Sequence, residues 1–111
     1  MSIFFCFIFN ARRYNGGMKK ELFQTLLNKR SLKIERIIST GQATAEGKWL
    51  KNRRNEWVIL LQGAARLRFL KNNRLVKIKA GSHLLIPANE IHRVDWTDPK
   101  QETIWLAVYY K

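Results

Sequence analysis

The segment Ala64–Gly81, AARLRFLKNNRLVKIKAG, constrains the fold more than any other part of the chain. Ala65, Leu67 and Phe69 alternate with Arg66 and Arg68, and Val76 and Ile78 alternate with Lys77 and Lys79. A period of two puts one set on each face of a pleated strand. Between the runs stands Lys71-Asn72-Asn73-Arg74. Asparagine tolerates positive φ, so these residues predict a tight hairpin turn. A lone hairpin is unstable in water, and its apolar face needs more strands to cover it.

Those strands are legible on both sides. In LKIERIIS, Leu32, Ile34 and Ile37 read as one side, with Lys33, Glu35 and Arg36 displaced to the other. EWVILLQG is a continuous apolar run ended by Gly63, the pattern of a strand buried on both faces. HLLIP stops at Pro87, and IHRVDW and TIWLAVYY flank the turn TDPKQ. Turn signals every eight to twelve residues predict a β-sandwich or barrel, and no helix-length pattern interrupts them to build a parallel α/β sheet. One short helix is expected over about 18–30. There Leu22, Phe23, Leu26 and Leu27 fall at helical spacing, and Lys29 and Arg30 sit where they favour the dipole. At 111 residues the chain holds one domain, with the barrel over about 31–110.

Residues 1–17 read as an extension, with Met18 as an alternative start. Ile3–Phe9 is too short to span a bilayer, and Arg12 and Arg13 follow it rather than precede it as a secretory signal requires. Cys6 is the lone cysteine and forms no internal disulfide, so a reducing cytoplasm is the expected location, with no membrane partner.

Two further spacings carry the chemistry. Glu56 is followed by six residues and Gly63; Gly81 is followed by five residues and Pro87, with His92 five positions on. These segments resemble the two motifs of the cupin family, G-x5-H-x-H-x3,4-E-x6-G and G-x5-P-x-G-x2-H-x3-N. The resemblance covers residues 31–110 and looks particularly like a branch of small single-domain, RmlC-like cupins. It implies an all-β, antiparallel double-sheet jelly-roll barrel, a small-molecule ligand inside it, and pairing into a homodimer through sheet edges. The family's metal site uses both first-motif histidines, the glutamate, and the second-motif histidine. Imidazole and carboxylate donors suit a divalent transition metal (Fe, Mn, Ni or Zn), and open positions would admit oxygenase or isomerase chemistry.

Glu56 and His92 match two of the four ligand positions. With a four-residue gap before Glu56, the histidine positions fall on Trp49 and Lys51, neither a metal ligand; the second-motif glycine is Asn89 and the asparagine is Trp96. Two ligands make a weak site, so no cofactor is certain, and Glu56 and His92 equally suit roles as hydrogen-bonded core groups. A buried Glu56 needs a partner, and Lys51 is one candidate. The expected ligand pocket comprises Trp49, Lys51, Glu56, His92 and Trp96. His83 matches no motif position and reads as surface.

The net charge is +13, from 21 Lys and Arg against 8 Asp and Glu. The hairpin projects Arg66, Arg68, Lys77 and Lys79 from one face, with Lys71 and Arg74 at its tip. Such a stripe suits nucleic acid or an acidic partner. The face shows no interleaved aromatic residue for stacking bases, so a solvated basic face is favoured over nucleic acid. There is no nucleophile elbow, phosphate loop, dinucleotide fingerprint or C-x-x-C pair.

Overall fold

The computed structural model describes residues 13–14, 17–18 and 20–111. Most of the 1–17 extension, Cys6 included, lies outside the described residues. Within it, β1 (Arg13–Tyr14) and β2 (Gly17–Met18) pair with each other. The domain then runs β3 (Leu22–Asn28), β4 (Leu32–Ser39), β5 (Asn55–Gln62), β6 (Ala64–Phe69), β7 (Arg74–Lys79), β8 (His83–Ile86), β9 (His92–Thr97) and β10 (Thr103–Tyr110). A five-stranded sheet, ordered β3-β4-β10-β5-β8, faces a three-stranded sheet, β7-β6-β9, and every pairing is antiparallel. The alternation predicts a β-sandwich or barrel, and the double-sheet jelly roll is the form the cupin resemblance implies; both agree with this arrangement. No helix among the described residues is long and apolar enough to cross a membrane.

The pleat explains the core. Val58 and Leu60 from β5 and Trp105 and Ala107 from β10 meet Leu67 and Phe69 from β6 across the barrel, all of them buried. The turn at Lys71–Asn73 has Asn72 and Asn73 at φ 61° and 46°. Gly63 is required twice over. Its φ is +89°, and a Cβ there would lie 2.6 Å from the Thr103 Cα and 2.8 Å from the Glu102 carbonyl oxygen.

Three expectations are corrected. The helix over 18–30 does not form; Leu22–Asn28 is β3, the edge strand paired with β4. A helix of three turns needs a groove for its apolar stripe. Here β4 offers an open hydrogen-bonding edge instead, leaving Leu22 and Leu26 51% and 49% exposed and packing only Phe23 on the core. β5 buries one face rather than two, since Trp57 and Ile59 are half-buried and Leu61 is exposed. In β4 the inward row is Glu35, Ile37 and Ser39, while Leu32, Ile34 and Ile38 point outward. The outer face of the large sheet is itself apolar, with Ile104, Leu106 and Val108 beside them, so apolarity alone does not mark the inside.

Candidate functional site

Glu56 and His92 enter the barrel from opposite sheets, Glu56 on β5 and His92 at the start of β9, and each is 1% exposed. Glu56 lies beside Tyr109 on one neighbouring strand and Ile86 on the other. Its Oε1 has no hydrogen-bond partner among the described residues. Burial, reinforced by the nearby Glu35 carboxylate, pushes the Glu56 carboxyl up to about 8, so it is protonated at neutral pH. Glu35 is buried and held by the Tyr109 hydroxyl at 3.4 Å and by Lys33 Nζ at 3.7 Å.

Burial lowers the His92 imidazole below its ordinary value, against the opposing pull of Glu90, and keeps it neutral. Its Nδ1 lies 2.9 Å from the Glu90 carbonyl oxygen. A carbonyl only accepts, so Nδ1 carries the hydrogen and Nε2 is a bare lone pair. Nε2 is buried without a partner among the described residues. The barrel interior therefore presents one carboxyl oxygen and one imidazole acceptor without partners among the described residues.

The loop before β5 is fastened to the segment before β9. Leu50 and His92 exchange backbone hydrogen bonds of 2.6 and 3.0 Å, and Asn89 N–H donates to the Asn52 carbonyl at 2.7 Å. Asn89 has φ 66°, which explains why an asparagine stands where the motif has glycine. A cleft of about 450 Å³ opens at this end, where β4 and β5 begin and β8 and β10 finish, and Tyr109 lines it.

The remaining expected pocket residues lie elsewhere. Lys51 is exposed and forms no ion pair with Glu56. Trp49 sits beside the Arg93 guanidinium, 5.8 Å from its ring centre. Trp96 lies under Arg66, at 4.6 Å, on the outer face of the small sheet. The cause is a bulge: Arg66 pairs with Trp96 and Leu67 with Val94, so Asp95 is an extra residue that turns Trp96 outward and Thr97 inward. Glu35 and Asn52, both buried, replace them near the floor. Asn52 carries a usable signal, because a three-residue gap before Glu56 places the histidine positions on Leu50 and Asn52, the residues that point inward.

Among solved structures, a Ralstonia eutropha JMP134 protein provisionally named a mannose-6-phosphate isomerase is similar at 41% identity and TM-score 0.80, over 83% of this chain and 85% of that one. A cupin superfamily protein from Desulfitobacterium hafniense DCB-2 matches at 17% identity and TM-score 0.70, over 89% and 81%. The chain belongs to the cupin superfamily. The polyketide cyclase RemF from Streptomyces resistomycificus shares the cupin fold at 18% identity and TM-score 0.69, over 83% and 66%. No protein-family model matches the chain, and no curated protein does.

The donor set of this cupin does not fit the family's metal. Its four positions hold Leu50, which has no donor, Asn52, whose Oδ1 accepts from Arg54 N–H at 3.0 Å, Glu56 and His92, so only two are ordinary transition-metal ligands. No three His, Cys, Asp or Glu side chains converge as a metal site among the described residues.

The basic hairpin is built as expected, with Arg66 and Arg68 pointing out of β6 and Lys77 and Lys79 out of β7. Lys71 and Arg74 are exposed at its tip. Aromatic rings do interleave with it, contrary to expectation: Trp96 lies under Arg66, and Trp49 beside Arg93. Asp95 neutralises part of the face by binding Arg68 and Arg93 at 2.7 and 2.8 Å.

Proposed function

We propose that this cupin binds a small polar molecule at the open end of its barrel, without a metal. The carrying observation is that two of the four buried side-chain atoms left without partners among the described residues, Glu56 Oε1 and His92 Nε2, belong to residues facing into the barrel from opposite sheets; the other two are Glu21 Oε1 and Arg66 Nε. Buried polar groups in folded proteins are nearly always paired, and leaving one unpaired costs about 1–3 kcal/mol. A ligand hydroxyl or carbonyl reaching between a protonated carboxyl and a neutral imidazole satisfies one or both. The named relatives include an isomerase and a cyclase, which supports a small-molecule ligand without specifying a reaction. The cytoplasm suits the single cysteine.

Ligand-observed NMR with small hydroxylated and carbonyl compounds tests this, using wild type, His92→Asn and Glu56→Leu. Hits should bind wild type at least about tenfold more tightly than either variant. Binding indifferent to both substitutions moves the site elsewhere. A transition metal retained near one per chain, and lost in His92→Asn, restores the metal-dependent oxygenase or isomerase reading.

A second reading is favoured by the Arg66–Trp96 stack: a single-stranded nucleic acid laid over the outer face of the small sheet. Its affinity would fall steeply with salt, and Arg66→Glu with Arg68→Glu would abolish it. A homodimer is supported by the apolar outer face of the large sheet, where Leu61 and Leu85 are 52% and 49% exposed; sedimentation velocity decides it.

A further inference from the structure

The cleft at the open end of the barrel is rimmed by cations; Glu56 and His92 do not line it, and its inner wall is Asn52 and Tyr109. Lys33, Arg53, Arg54 and Lys111 line it together with Asn55 and Tyr109. Three of the four follow from the pleat. The inward row of β4 runs Lys33, Glu35, Ile37; that of β5, extended back one step, runs Arg54, Glu56, Val58; that of β10, extended forward, runs Lys111, Tyr109, Ala107. These strands are neighbours in the order β4-β10-β5, and Lys33, Tyr109 and Glu56 lie in register. Three adjacent rows thus pass from a cation at the rim, through a carboxyl or phenol, to an apolar core.

The carboxyls do not neutralise this rim. Lys33 is held by Glu35 at 3.7 Å. Arg53, Arg54 and Lys111 form no ion pair among the described residues. Arg54 is positioned nonetheless, donating through Nη2 to the Arg30 carbonyl at 3.2 Å, and its own N–H to Asn52 Oδ1 fixes the loop. Several like charges gathered at one concave site repel each other, and an anion relieves that repulsion. Guanidinium groups also match the geometry of planar or tetrahedral oxyanions.

We infer that the cleft is an oxyanion site and that the small molecule bound by this cupin carries a dianionic group, held by Arg53, Arg54 and Lys111. A dianion suits the site better than a monoanion, because three cations lack a carboxylate partner. The inference rests on the small-ligand reading above and adds the charge class and the residues that read it. A phosphate monoester and a dicarboxylate share this chemistry.

The test is isothermal titration of the full chain with inorganic phosphate and with succinate, at low and at 0.3 M sodium chloride. The proteins are wild type, Arg53→Gln/Arg54→Gln, and Lys77→Gln/Lys79→Gln. The last pair removes the same net charge from the outer face of the small sheet. At least one probe should bind wild type, about tenfold more weakly in the arginine variant and in high salt, and unchanged in the lysine variant. Phosphate alone or succinate alone identifies the source of the dianion. Equal weakening in both variants reduces the effect to overall charge and overturns the inference, as does no binding of either probe to wild type. Neutral hits that depend on His92, with no anion binding, sink the anion site and leave the small-ligand reading standing. Anion binding that depends on the arginines, with no ligand sensitive to His92 or Glu56, does the reverse.

Discussion

The barrel holds two buried polar regions finished to different degrees. On the side of Ser39–Thr44, the side chains bond one another. Trp105 Nε1 donates to Ser39 Oγ at 3.0 Å, and Ser39 Oγ donates to Glu21. Gln42 Nε2 donates to Thr40 Oγ1 at 2.9 Å, and Thr97 Oγ1 donates to the Gln42 carbonyl at 2.6 Å. Thr44 Oγ1 accepts from Val94 N–H at 2.9 Å. Glu21 Oε1 is the exception, without a partner among the described residues. On the other side Glu56 and His92, buried in the barrel, each keep an atom without a partner among the described residues. The first region closes the sheets against each other; the second leaves hydrogen-bonding capacity for something that is not the chain.

If that contrast is right, substitutions should separate by region, and the largest loss of stability should come from the closed side. Trp105→Ala removes a fully buried ring and its bond to Ser39. It should lower unfolding free energy by about 3–5 kcal/mol in urea titration. A loss below about 1 kcal/mol would dissolve the distinction.

The next effect has the opposite sign. Glu56 holds its proton to about 8 in the folded protein, against an ordinary value of 4.5. Its favourable contribution is therefore full below about pH 4.5 and fades as pH rises toward 8. Glu21 is raised to about 8 as well, chiefly by burial and against its bond with Ser39, so wild-type stability should fall across this window with both carboxyls contributing. Glu56→Gln removes one share and should stabilise the protein at pH 9 by a few kcal/mol. Glu21→Gln should flatten the same curve, but only the change at Glu56 should alter ligand binding. Thermal unfolding from pH 4 to 9 checks both.

His92→Asn gives up the bond to Glu90 and the ring contact with Phe69, and should cost about 1–2 kcal/mol while losing the ligand. The smallest effect belongs to the turn that delivers His92. Asn89→Ala should cost about 1 kcal/mol at φ 66°, and Asn89→Gly should recover it, with binding intact.

Much of this architecture was readable in the alternation of Ala64–Lys79, in the Asn72–Asn73 turn, and in the spacing of Glu56, Gly63, Pro87 and His92. The rest is hidden from the sequence for four physical reasons. β3 has helical spacing, but an open sheet edge took its backbone. The inward position of Glu35 is not marked in the sequence because both faces of the large sheet are apolar, so the parity of β4 is set by pairing with β10 rather than by its own pattern. The outward turn of Trp96 has no compositional mark because a bulge inserts one residue, and Trp49 and Lys51 give way to Leu50 and Asn52 because a loop one residue shorter exchanges the residues facing in.

The gradient from cationic rim to uncharged floor has a kinetic consequence. An anion approaching the mouth is accelerated by a field that added salt collapses. Once seated, its polar remainder is retained by a neutral carboxyl and a neutral imidazole, whose hold salt hardly touches. Association should therefore slow steeply with ionic strength while the floor's share of the residence time changes little. Capture is assigned to charged groups at the mouth, and retention to uncharged groups from both sheets.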